Sequence, residues 1–163
     1  MRKTGTVAAV IAAAGLTGCG IGVWFVRGEA AEVIEVARAQ LCGSEAGVRV
    51  LDSAESVSEW LQSSGIPLRL DDPLDPGRYA LIEMGQRSTG GHGLAVSREA
   101  RQSGVVLKIY ATFFSPAPGA MATQMITSPC ALVRLPDTEF SVIEIYDQSG
   151  VRRISSAVSG EAR

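Results

Sequence analysis

The sequence predicts a mainly β domain of the α+β class, an antiparallel, sandwich-like arrangement preceded by one short helix. Three observations carry that expectation. From Arg78 onward, apolar residues alternate in short runs rich in β-branched and aromatic types, as strands require when successive side chains point to opposite faces. Gly, Pro, Asp and Ser separate those runs as turn residues do. A helical period shows in one stretch, where Ala54, Val57, Trp60 and Leu61 share a face. The chain has 163 residues, 46% hydrophobic and 20% charged, which suits one globular domain with room for a tether.

The elements follow in chain order. Arg2 and Lys3 precede an uncharged stretch, Thr4 to Val26, that contains LTGC at Leu16 to Cys19. This tetrapeptide resembles a bacterial lipobox, which implies removal of 1–18 as a signal peptide and lipidation of Cys19. The apolar run nevertheless continues through Gly20–Val26, and as one helix residues 4–26 rise about 35 Å, enough to span a hydrocarbon core. Lipid anchor and transmembrane anchor both stand. Either places the remainder on the periplasmic side of a bacterial membrane, because the two basic residues hold the N-terminus inside. Residues 19–46 then read as a tether, within which Arg27 to Gln40 suits linker, helix or first strand equally.

GVRVL, Gly47 to Leu51, alternates as a strand does. Asp52 and Glu55 have the spacing of a capping box at the start of the helix, and Gly65 and Pro67 end it. Two Asp-Pro steps make Leu68 to Gly77 a loop. Strands are expected at Tyr79–Met84, Leu94–Ser97, Val105–Phe114, Ala131–Leu135 and Phe140–Tyr146, close enough together to favour antiparallel pairing. The folded domain is thus 47–147, and the small, polar residues 148–163 read as a flexible tail.

Charge and cysteines bound the function. A formal net charge of −2, with no basic run interleaved with aromatics, opposes nucleic-acid binding. Apart from Cys19 there are two cysteines, Cys42 and Cys130, without metal-ligand spacing. In an oxidising compartment they can form a disulfide; two unpaired buried thiols are the other reading.

The stretch GQRSTGGHG, Gly85 to Gly93, has the glycine spacing of a phosphate-binding loop, but Gly91 and His92 occupy the positions where lysine and Ser/Thr are needed. Without that charge, it reads as a turn in which Gly90, Gly91 and Gly93 tolerate positive φ. Farther on, SPAPG is stiffened by Pro116 and Pro118, whose rings fix φ.

GQRSTGGHGLAV, the strand VVLKIYATFF and SPAPGAMATQMITSPCALVRL together resemble, in order and spacing, the PrcB C-terminal domain family, from a subunit of a bacterial protease complex. The resemblance rests on Thr89, Gly90 and Gly91 in the turn and on Pro116, Pro118, Gly119, Thr123, Gln124, Thr127 and Pro129 in the second segment. His92 stands where the family usually has tyrosine, and Cys130 where an aromatic often follows the proline. The resemblance implies a non-catalytic, secreted or membrane-tethered subunit that supports a partner, here an envelope protein such as a protease. Stiff loops on a β scaffold lose little entropy on binding, which makes these loops candidate recognition elements; connection of strands is the other reading.

No catalytic set, metal site or cofactor is expected. His92 is the only histidine, and a hydrolytic triad would have to pair it with Ser88 or Ser128 without a G-x-S-x-G elbow. Gln124 and Thr123 read as hydrogen-bonding neighbouring backbone. A binding module is therefore the main expectation; a small hydrolase using His92 and a protease inhibitor that inserts both loops are the alternatives.

Overall fold

In the computed structural model, residues 28–70 and 73–158 are described, and the expected signal peptide, the 4–26 anchor and Cys19 lie outside them. Among the described residues no helix is long and apolar enough to cross a membrane. The chain forms β1 (Glu29–Glu32), β2 (Ile34–Ala39), β3 (Ala46–Leu51), α1 (Ala54–Ser64), β4 (Tyr79–Met84), β5 (Gly93–Ser103), β6 (Val106–Phe114), β7 (Cys130–Arg134), β8 (Val142–Tyr146) and β9 (Arg152–Ala157). They build a five-stranded sheet in the order β1-β5-β6-β8-β9 and a four-stranded sheet in the order β2-β7-β4-β3. The mainly β class with one short helix is what the alternation predicted.

Of the stretch left open between linker, helix and strand, Glu29–Glu32 and Ile34–Ala39 are strand, which corrects the tether assignment over residues 28–46, while 19–27 lie outside the described residues. Fully buried Val33 is the reason: it fixes a bend at which one extended segment leaves β5 and joins β7, so β1 and β2 belong to different sheets. The tail is corrected likewise. Asp147 accepts the amides of Ser149 (2.8 Å) and Val151 (3.0 Å), Gly150 takes φ +76, and β9 folds back antiparallel on β8 with Ile154 and Val158 against the core. Residues 159–163 lie outside the described residues.

Three further differences have local causes. Strand β5 runs well past the expected Ser97, because a bulge between Val96 and Ala100 breaks the alternation while pairing with β6 continues. The pair β6 and β8 is parallel, since the chain crosses to the other sheet as β7 before it returns. Ser53, one residue after the expected Asp52, caps α1: its hydroxyl accepts the Ser56 amide at 3.2 Å, and Gly65 closes the helix at φ +66.

Two cores make three layers. Between the sheets lie Ala80, Ile82, Leu107, Ile109, Ala131, Val133, Ile143 and Ile145; on the far face of the smaller sheet Tyr79, Leu81, Cys130 and Leu132 pack beneath Val57, Trp60 and Leu61 of α1. Strands β4 and β7 are therefore buried on both faces. Their near-continuous apolar sequences, YALIEM and CALVR, follow from that position.

The outer face of the larger sheet carries a polar cluster. Glu144 accepts the Tyr146 hydroxyl at 2.8 Å and the Arg152 guanidinium at 2.5 Å, and Lys108 lies over the Tyr146 ring. The Tyr146 hydrogen bond, then that of Arg152, holds the Glu144 carboxyl below its ordinary range despite partial burial. A depressed folded-state pKa stabilises the fold above the unfolded value, about 4.3, and that contribution is lost as pH falls through the folded pKa. Denaturant unfolding should thus show the gap between wild type and Glu144→Gln narrowing as pH drops below that value. A gap flat in pH would remove this linkage.

Candidate functional site

The two motif segments, separated in sequence by β5 and β6, meet in space. Arg87 and Thr127 exchange backbone hydrogen bonds at 2.7 and 3.0 Å, the Gly90 amide donates to the Thr123 carbonyl at 2.9 Å, and the Thr127 hydroxyl donates to the Thr89 carbonyl at 3.0 Å. Gly91 rests on the Pro116 ring. Its φ is +81, and a Cβ there would lie 3.0 Å from Pro116 Cγ. Only Gly91 of the three turn glycines takes positive φ, so the expectation for Gly90 and Gly93 is corrected. Gly93 instead lies against the Phe114 ring, and Gly90 is buried against Thr123. Gly85, at φ +75, packs on the Ala46 main chain, where a Cβ would come within 2.8 Å of the amide nitrogen.

Each remaining residue has a definite place. Pro118 and Gly119 sit in an exposed turn closed by the Ala120 amide on the Ala117 carbonyl at 3.0 Å, while Pro129 is fully buried. Thr123 contributes its carbonyl rather than its hydroxyl, and the Gln124 side chain is exposed instead of bonding nearby backbone; both correct the expectation from sequence. Cys42 and Cys130 form a disulfide with Cα atoms 6.0 Å apart. Ser128 fastens the same corner: its hydroxyl accepts the Cys42 amide at 2.8 Å and donates to the Cys42 carbonyl at 3.1 Å.

These contacts wall a cleft of about 560 Å³ lined by Arg38, Gln40, His92, Leu94, Phe114 and Met125, among others. Around it Phe114, Met125 and Ile126 are about half exposed and Met121 is fully exposed. The contribution of β2 and the residue that follows it, Arg38 and Gln40, carries no signal in the sequence, whereas the exposed Met121, Met125 and Ile126 are visible there as apolar residues in a turn-rich segment.

Chemically the arrangement is spare. His92 Nε2 lies 3.3 Å from the Thr89 hydroxyl, and Ser128 is committed to Cys42, so neither forms a nucleophile and base pair with the other. Among the described residues no group of three or more His, Cys, Asp or Glu is placed to hold a metal ion. What the site offers is a shaped, partly apolar surface with stiff walls. Gly91→Ala should cost about 1–2 kcal/mol in denaturant unfolding through left-handed strain, whereas Gly90→Ala, with ordinary contacts at negative φ, should be tolerated far better. Equal losses would refute the assignment of strain to Gly91.

Fold and site thus define a disulfide-tied, two-sheet β domain whose paired loops frame a cleft. Residues 78–136, the stretch from β4 through β7 with both loops, match the family model described as PrcB C-terminal. Neither the search of curated proteins nor that of solved structures returned a match.

Proposed function

We propose that this chain is a non-catalytic, membrane-tethered extracytoplasmic module that binds and stabilises or assembles an envelope protein, and that the partner is a protease, as the PrcB likeness suggests. The observation that supports this reading is the loop face. Two motif segments hydrogen-bonded to each other hold Phe114, Met121, Met125 and Ile126 out in solvent, where exposed apolar side chains beside a rigid cleft suit a docking surface. Stiff walls reduce the entropy lost when a partner docks. No observation favours hydrolysis through His92.

A photo-crosslinking amino acid at Met125 of the full chain, in its native envelope, should capture one reproducible partner. The same group at Val105, exposed at the opposite end of β6, should not. Met125→Glu should shorten the lifetime of the captured protein. Equal capture from both positions, or none from Met125, would overturn the proposal, and a protease that gains activity in Met125→Glu would make the chain an inhibitor instead.

A further inference from the structure

We propose that Met125 is an oxidation site through which peroxide releases the docked partner: conversion of its thioether to the sulfoxide puts a polar oxygen into the wall of the cleft. The inference rests on the reading of the loop face as a docking surface and adds the condition under which that surface lets go.

The distribution of sulfur singles out the site. Among the described residues, sulfur occurs in Cys42, Cys130, Met84, Met121 and Met125. A thiolate would draw the oxidant first, but both cysteines are joined in the disulfide and have none to offer. Met84, in β4, is buried at 3% exposure, whereas Met121 is fully and Met125 about half exposed. Oxidant in solution therefore meets the thioethers of Met121 and Met125, both in the segment between Gly119 and Thr127, while the core shields that of Met84. Of the two, Met125 lines the cleft and Met121 does not.

The backbone that carries this thioether is tied to the TGGH turn. The Met125 amide donates to the Thr123 carbonyl at 2.9 Å, the carbonyl that also accepts the Gly90 amide, and two residues on Thr127 exchanges hydrogen bonds with Arg87. A change in the polarity of Met125 thus falls on the docking face itself.

The step balances with one hydrogen peroxide per methionine. A lone pair on Sδ attacks one peroxide oxygen, an S–O bond forms as the O–O bond breaks, and after proton transfer the second oxygen leaves as water; sulfur loses two electrons and the peroxide gains them. The product has nearly the same shape but carries a hydrogen-bond acceptor where the thioether was apolar. Stripping water from that oxygen against an apolar partner surface is unfavourable, so the docked state weakens. Enzymatic reduction of the sulfoxide restores the thioether and makes release reversible.

The test uses the full chain in detergent micelles with a photo-crosslinking amino acid at Ile126, which leaves both methionines in place. The purified chain is exposed to hydrogen peroxide, freed of it with catalase and added to solubilised envelope from cells that lack the chain, so that the chain alone is oxidised. Mass spectrometry should find one added oxygen on the peptides holding Met121 and Met125 and none on the peptide holding Met84. Capture should fall about tenfold relative to the untreated chain, and reductases for both sulfoxide epimers should restore it. Met125→Leu should show the same capture with and without peroxide, whatever its level, whereas Met121→Leu should respond as wild type does. Oxidation of Met84 at the same rate, an equal fall in Met125→Leu, or loss of the response in Met121→Leu would overturn the proposal. If the untreated chain captures a partner and oxidation at Met125 leaves capture unchanged, docking stands and the oxidation site falls; if the untreated chain captures none, the docking reading itself falls and release with it.

Discussion

The double variant Cys42→Ser/Cys130→Ser is expected to unfold with a free energy lower by about 4 kcal/mol. The bridge closes a loop with a sequence separation of 88, and by the chain-entropy relation a loop of that size restricts the unfolded ensemble by roughly this amount. Native geometry should survive the loss. Cys130 is buried beneath α1 at the start of β7, and the segment at Cys42 is held independently by the Ser128 hydroxyl and by the bond from its own amide to the Ser128 carbonyl at 2.9 Å. Circular dichroism of the folded variant should therefore match wild type while its denaturation midpoint falls. Reductant should lower the wild-type midpoint and leave the variant unchanged. A wild-type midpoint insensitive to reduction would show that this bridge contributes nothing to stability.

That same corner shows what was legible in the sequence. The alternation of Leu107, Ile109 and Ala111 marks a strand with one face in the core, and the structure buries those residues between the sheets. The meeting of the TGGH turn with the SPAPG segment is not legible in the sequence, because all its hydrogen bonds except that from the Thr127 hydroxyl to the Thr89 carbonyl run between main-chain atoms that any side chain could accompany. Strands β1, β2 and β9 are hidden for a different reason. Each is short, lies at a sheet edge and buries few side chains, so its polar residues blur the period of two. The cleft is less legible still. It arises where β2 leaves the register set by β1, and a divergence of two strands far apart in sequence has no local signal. Glycine spacing alone points to a phosphate loop; the structure assigns Gly91 a left-handed turn on Pro116 and Gly85 a close approach to Ala46.

Leu81→Ala and Ile82→Ala are each expected to destabilise the protein by about 3 kcal/mol, within the usual range for a large aliphatic residue truncated in a packed core. In a sheet with one wet face, adjacent residues differ: one truncation is severe and its neighbour nearly silent. Here both side chains are fully buried, Ile82 between the sheets and Leu81 beneath α1, with Leu132 opposite Leu81 on β7. The two variants should nonetheless fail differently. Ile82 contacts the interior shared by both sheets, so its cavity should lower the whole cooperative transition. Leu81 supports a layer made of one helix and the loop after it, so its loss should also speed hydrogen exchange in α1 before the sheets open. A cost below about 1 kcal/mol for Leu81→Ala, with α1 protection unchanged, would mean that the helix does not pack on β4 and that this is a two-layer fold.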